Sequence, residues 1–227
     1  MKGITLATFR HYVPGATNAD LRAISDEWVQ LIYSDGYWEE VRGDALPAGV
    51  DLATFDYAVN SGPGRAAKAL QAAVGTAQDG KIGKATLAAI QGEDNAKIVK
   101  EICARRLSFV RGLKTFGTFG KGWVRRVVDV EAKSVAMAMA SHGFSAAKIN
   151  AVMAEEADTA TMRADKQSRG AVSLAGGGAG AGAVVGGDVN WWLLIGLVVA
   201  CLGVAVLVRS RAQINRERAA AYANAMN

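Results

Sequence analysis

The chain has 227 residues, 51% of them hydrophobic, and 26 Lys and Arg against 21 Asp and Glu, a net charge of +5. That apolar content supports a buried core and excludes a wholly disordered chain. Two cysteines, Cys103 and Cys201, and two histidines, His11 and His142, exclude a disulfide framework and a zinc knuckle, and neither histidine has metal-ligand spacing, so no metal and no cofactor is expected.

Thr5 is placed to cap a short helix running to Tyr12, and Thr17 and Asp20 have the spacing of a capping box. Ser25 precedes an amphipathic stretch with Trp28, Leu31 and Ile32 facing inward. A turn at Leu46-Pro47-Ala48-Gly49 leads into a helix over Asp51–Asn60, closed by Ser61-Gly62. Pro63 lies just inside the start of the next helix, Gly64–Val74, where its missing N–H is harmless, and Gly75 ends it. Asp79-Gly80 supplies a turn, Ile82-Gly83 lets the chain fold back, and Thr86 and Leu87 open a short helix. Ile98, Ile102, Phe109 and Leu113, flanked by Val99, Cys103 and Val110, give a long helix one apolar stripe, on which Cys103 is a small buried hydrophobe. Trp123–Met139 and Ser145–Asp165 read as two further helices, the second an Ala-rich stalk. Eight of the eighteen residues Gly170–Gly187 are Gly, the composition of a flexible tether.

Trp191–Val208 then runs eighteen residues without a charge. As a helix it rises about 27 Å, which spans most of a hydrocarbon core, and apolar character on every face suits lipid better than a soluble core. Trp191 and Trp192 fit the interfacial belt, and Arg209, Arg211, Arg216 and Arg218 follow the span. The positive-inside rule therefore places the tail in the cytoplasm and the N-terminal bulk outside. The opening MKGITLATFRHYV has neither the apolar segment nor the cleavage site of a secretory signal.

Charge is segregated along the rest. Residues 1–64 hold nine acids against four bases, whereas residues 65–128 hold thirteen bases against four acids. An acidic module followed by a basic one points to a polyanionic partner for the second half. No helix-turn-helix, zinc-finger or aromatic RNP pattern accompanies the basic run, so nucleic acid is not expected; an anionic cell wall satisfies the same electrostatics.

The runs GITLATFR (Gly3–Arg10), IYSDGYW (Ile32–Trp38), GDALPAGVD (Gly43–Asp51) and FDYAVNSGPGRAAKALQ (Phe55–Gln71) resemble glycoside hydrolase family 108, the lysozyme-like muramidases of bacteria and phages. DGKIGKATLAAI (Asp79–Ile90) and FGKGWVRRV (Phe119–Val127) resemble the peptidoglycan-binding domain that accompanies that family. The matches keep family order over residues 3–128. The resemblance implies a mostly α-helical enzyme that cuts peptidoglycan glycan, with a proposed general acid in a Glu-Gly-Gly-Tyr motif upstream of Gly-Ile-Thr. No Glu-Gly-Gly occurs in this chain. The expectation is an N-terminally short copy whose reading frame begins further upstream, and which binds the wall but cleaves it poorly.

Glycoside cleavage needs a proton donor and a second carboxyl flanking the bond. Asp56 is the candidate here, with Asn60 four residues on and on the same helix face: the pair either holds the N-acetyl or hydroxyl groups of a sugar or pins the helix to the neighbouring loop through buried hydrogen bonds. Glu39 and Glu40 are adjacent, cannot both face one site, and read as solvated surface. Tyr37, Trp38 and Tyr57 are candidates for packing on sugar rings, with a core role the alternative. In the basic module Lys81, Lys84, Arg125 and Arg126 are candidate wall contacts, and Trp123 is either wall-facing or a plug between helices.

The fold expected is mostly α: a lysozyme-like domain over 1–64, a helical peptidoglycan-binding module over 65–128, a stalk over 129–169, a Gly-rich tether over 170–188, a transmembrane helix over 189–208 and a basic tail over 209–227. The function expected is a peptidoglycan hydrolase of endolysin or autolysin type, held at the bacterial inner membrane by one span with its domain facing the wall. Its partners are peptidoglycan, the lipid bilayer and, in a lysis role, a holin or other lysis proteins. Two alternatives stay open, a catalytically inactive membrane-tethered binder and an accessory of secretion or lysis that works through its C-terminal span.

Overall fold

Local capping chemistry starts the first helices where the sequence places them. In α1 (Leu6–Tyr12) the Thr5 hydroxyl accepts the Thr8 N–H at 3.1 Å. In α2 (Asn18–Arg22) the capping box is complete, with the Thr17 N–H donating to the Asp20 carboxylate at 2.7 Å, and Ser25 caps α3 (Asp26–Tyr33). The computed structural model describes residues 2–177 and 191–226, all helix and connecting turns, with no strand among the described residues. Its contacts divide it into two units, Met1–Leu113 with Ser134–Gly143, and Lys114–Lys133 with Phe144–Asn227.

In the first unit α1, α2 and α3 bury Ile4, Phe9, Ala16, Ile24 and Ile32 in a small core. Two residues expected there are outside it, Trp28 at 37% exposure and Leu31 at 47%. The buried face of α3 is made by Ile32 with Val29 and Tyr33 partly covered beside it. Helical geometry puts Leu31 roughly 150° and Trp28 about 90° round from the centre of that face. Trp28 keeps only an edge-on contact with Phe9, at 6.3 Å between ring centroids.

After α3 the chain makes a π-helical turn, Ser34–Glu39, and a 3-10 turn, Gly43–Ala45. The helices α4 (Val50–Ser61), α5 (Pro63–Ala73) and α7 (Asn95–Arg111) then pack on one another. Val50, Ala53, Ala58, Ala66, Ala67, Leu70, Val99, Ile102, Cys103 and Val110 are all buried, and the small residues let the helices approach closely. Residues on both sides of position 64 therefore share one core. Pro63 occupies the first turn of α5 as expected. Gly49, at φ +86°, sets the start of α4 against α8 (Phe116–Ser141): a Cβ there would stand 2.1 Å from the Ser134 carbonyl oxygen.

The turn before α6 (Lys84–Ile90) is built around buried Gln71. Its amide nitrogen donates to the Asp79 carboxylate at 2.6 Å and to the Lys81 carbonyl at 3.0 Å, and its oxygen accepts the Gly80 N–H at 2.9 Å. That hydrogen bond from Gln71, followed by the Lys81 N–H, holds the Asp79 carboxyl below the usual range.

The second unit joins the first part of α8 to two long helices, α9 (Ala146–Gly177) and α10 (Trp191–Asn224). Val127, Val128, Met153, Ala160, Ala164, Ala212, Ala221 and Tyr222 are buried in it. Two sequence expectations change. Helix α9 runs past Asp165 through Gly177, so the first part of the expected tether is helical, and its remainder, 178–190, lies outside the described residues. The expected basic tail is not a separate segment but the continuation of α10. Among the described residues no helix is long and apolar enough to cross a membrane. The expected span at 191–208 is helical, but most of its side chains lie outside the described residues.

Candidate active site

The end of α1, the π-helical turn and the α4–α5 junction enclose a cleft of about 620 Å³ in the first unit. Thr8, His11 and Tyr12 come from α1, Asp35, Gly36, Tyr37 and Glu40 from the turn and its end, and Val59 with Gly62, Pro63 and Gly64 from the junction. The turn decides which carboxyls face in. On an α-helix residues five apart point about 140° from each other, whereas i→i+5 bonding brings them round to one side. Asp35 and Glu40 line the same cleft for that reason, and the adjacent Glu39 is left exposed outside it.

Tyr12 ties the two walls together. Its hydroxyl lies beside Gly36, where a Cβ would stand 2.7 Å from the Tyr12 oxygen, and near the Asp35 carboxylate. Burial first, then the nearby Asp35 carboxylate and the charges of Tyr37 and Glu40, raise the Tyr12 pKa. The phenol therefore keeps its proton and stays a donor throughout the physiological range. The His11 ring meets Tyr12 edge-on at 5.6 Å. The cleft thus offers two carboxylates, a fixed hydroxyl donor and the half-buried Tyr37 ring, a set suited to sugar hydroxyls and a ring face.

The residues singled out from sequence are distributed more widely. Tyr37 lines the cleft. Trp38 stacks edge-on with Phe55 at 5.4 Å, donates its indole N–H to Asp44 at 2.9 Å and lies over Gly43. Tyr57 is 2% exposed, between Phe109 and the Arg106 guanidinium, and its burial raises its pKa. Asp56 accepts from Arg106 at 2.6 Å, an ion pair between α4 and α7 whose guanidinium is fully buried. Asn60 is exposed and accepts from Ser61 at 3.1 Å. Neither Asp56 nor Asn60 lines the cleft.

The basic candidates fall in two places. Lys81 and Lys84 are exposed around the Gln71 turn of the first unit. Trp123, Arg125 and Arg126 are on the part of α8 that belongs to the second unit, where Trp123 packs on Phe119 at 5.8 Å and Arg125 approaches Glu217 at 3.8 Å.

A family model described as Glycosyl hydrolase 108 matches residues 1–62. The solved structure of Brucella abortus SagA is 46% identical, with a TM-score of 0.58 over 60% of this chain and 79% of that one. The chain belongs to glycosyl hydrolase family 108. No curated protein matches it. The family match spans Tyr12, Asp35, Gly36, Tyr37 and Glu40, so the cleft is built almost wholly from the segment that defines the family. Sequence reasoning missed Asp35 and passed over Glu40, and the signal available was the resemblance itself, whose IYSDGYW run contains Asp35.

Proposed function

We propose that this chain is a peptidoglycan hydrolase of muramidase type and that the cleft of Tyr12, Asp35, Tyr37 and Glu40 is its glycan-binding site. The observation that carries this is the coincidence of two carboxyls, a fixed phenol and an aromatic face inside the segment that matches a glycosyl hydrolase family. Asp35 and Glu40 accept from sugar hydroxyl and amide groups, Tyr37 lies under a ring, and Tyr12 fixes the Asp35 carboxylate against the developing positive charge of the transition state. The proton donor that the family resemblance implies, a Glu in Glu-Gly-Gly-Tyr, is not among these 227 residues. Asp35 and Glu40 are the carboxyls of the cleft lining, and the expected outcome for these residues alone is retention on murein with slow cleavage.

Exposed lysines and arginines, Lys81 and Lys84 in one unit and Arg125 and Arg126 in the other, add an electrostatic hold on an anionic wall. The apolar run at 191–208 keeps the protein at the inner membrane. A second reading, binding without turnover, is favoured by the Asp56–Arg106 pair, which removes Asp56 from the list of available acids. Retention on insoluble murein and a zymogram on purified walls test both. Asp35→Asn and Glu40→Gln should each weaken retention, and Glu40→Gln should abolish whatever clearing the parent gives. Retention unchanged in both variants would move the glycan site out of this cleft, and clearing without any retention loss would do the same for the chemistry.

A further inference from the structure

We propose that the run at 191–208 does not carry the C-terminal tail across the bilayer, and that the chain enters lipid beyond Arg169 and returns before Arg209, so that the two flanks, on α9 and α10, stay on one face as the ends of a hairpin. This rests on the membrane-anchor reading above and replaces its single crossing.

The tail is docked, not free. The Tyr222 ring is fully buried and its hydroxyl donates to Glu131 of α8 at 3.1 Å. Arg218 donates to the same buried carboxylate at 3.0 Å. The Asn215 amide donates to Gln167 of α9 at 3.1 Å, and Arg216 donates to Ser168 at 3.2 Å. Tyr222 also lies in the field of Glu156, one of the charges that raise its pKa. Position 215 thus meets 167 and position 222 meets 156, so α10 runs back antiparallel along α9. A single crossing at 191–208 would put residues 209–224 across the membrane from α9 and separate Arg218 and Tyr222 from the buried Glu131 carboxylate, and breaking a buried ion pair is costly.

The sequence between the docked ends suits a hairpin. From Arg169 to Arg209 the one charged residue is Asp188, so that 170–187 and 191–208 are two uncharged arms of eighteen residues each. The second of them is helical, and eighteen residues of helix rise about 27 Å, close to a hydrocarbon core. The first run is rich in Gly and Ala and the second in Leu and Val, so neither brings a charge into lipid. Exposed Arg163, Lys166 and Arg169 on α9, with Arg211 on α10, stand where the arms begin, at the level of anionic headgroups.

The full chain in inner-membrane vesicles of known orientation tests this. Exposed positions receive single cysteines, Asp158→Cys on α9 and Ala220→Cys on α10. Buried Cys103 and the in-arm Cys201 give an unlabelled background. A membrane-impermeant maleimide should label both variants in vesicles of one orientation and neither in the other, and Gln167→Cys paired with Asn215→Cys should crosslink on oxidation in the intact membrane. Labelling of the two positions from opposite faces, or a pair that stays reduced, overturns the hairpin and leaves the anchor standing. Recovery of the parent chain in the supernatant after a carbonate wash overturns both.

Discussion

Removing the Asp56 carboxyl separates a structural role from a chemical one. Arg106 is 1% exposed and Asp56 15%, they meet at 2.6 Å, and the guanidinium lies 5.4 Å from the Tyr57 ring centroid. Deleting one partner of a buried pair costs about 3–5 kcal/mol, because the survivor stays buried without its counter-charge. Some solvent reaches Asp56, so the lower end applies, and Asp56→Ala should cost about 3 kcal/mol, or roughly a hundredfold in the ratio of folded to unfolded chain. Asp56→Asn keeps an acceptor for Arg106 and should cost about 1–2 kcal/mol. Urea denaturation followed by circular dichroism measures both, and murein retention per folded molecule should be unchanged in Asp56→Asn. A loss under about 1 kcal/mol in Asp56→Ala would show that the pair does not hold α4 to α7. Unchanged stability with lost wall cleavage in Asp56→Asn would return Asp56 to the chemistry.

The remaining expectations use the same reasoning. Tyr12→Phe removes the hydroxyl that stands near Asp35, and Gly36→Ala displaces the same hydroxyl by crowding it. Both should weaken murein retention by about three- to tenfold, and a variant pair with unlike effects would refute the shared cause. Asp79 has a depressed folded pKa, so its contribution is complete above the unfolded value near 3.9 and is lost as pH falls through the folded one. Acid titration of stability should therefore be flatter in Asp79→Asn than in the parent below about pH 5, and parallel curves would contradict the Gln71 clamp. Gly49→Ala meets the Ser134 carbonyl and a left-handed φ at once, and should destabilise by more than the roughly 1 kcal/mol typical of a strained Gly→Ala change, read as a fall in melting temperature. Exposed charges are screened over about 8–10 Å at physiological salt, so added salt should release the protein from murein without unfolding it. Reversing Arg125 and Arg126 together should lower retention more than reversing Glu39 and Glu40.

Helix starts were legible because they depend on neighbours. Thr5, Thr17 with Asp20, Ser25 and Pro63 act within four residues of themselves, and each begins a helix where the local chemistry requires. Burial was less legible, since it depends on what arrives from elsewhere. Trp28 and Leu31 fit an amphipathic pattern, but α1 and α2 are short and cover only the side of α3 that carries Ile32. Arg106 gives the converse case. It lies three and four residues from Cys103 and Ile102 on the same stripe, and a periodic reading passes over a cation there unless its partner, fifty positions away in α4, is known.

The candidate site was hidden for a related reason. Asp35 and Glu40 share a wall only because the chain departs from α-helical bonding at Ser34–Glu39, and nothing in the residue types of SDGYWE announces that departure by period alone. Gly36 is the one local trace of it, a residue without a side chain opposite an aromatic hydroxyl from twenty-four positions earlier. The same limit applies to the C-terminal half. A hydropathy reading takes 191–208 by itself and obtains one span with a basic tail beyond it. The pairing of Asn215 with Gln167 and of Tyr222 with Glu131 is non-local, and in the hairpin proposed above it is this pairing that keeps the tail on the side of α9. Wherever a chain returns to dock on the helix it left, charge bias beside one apolar segment cannot assign topology, because the docked contacts and the uncharged partner arm enter the balance together.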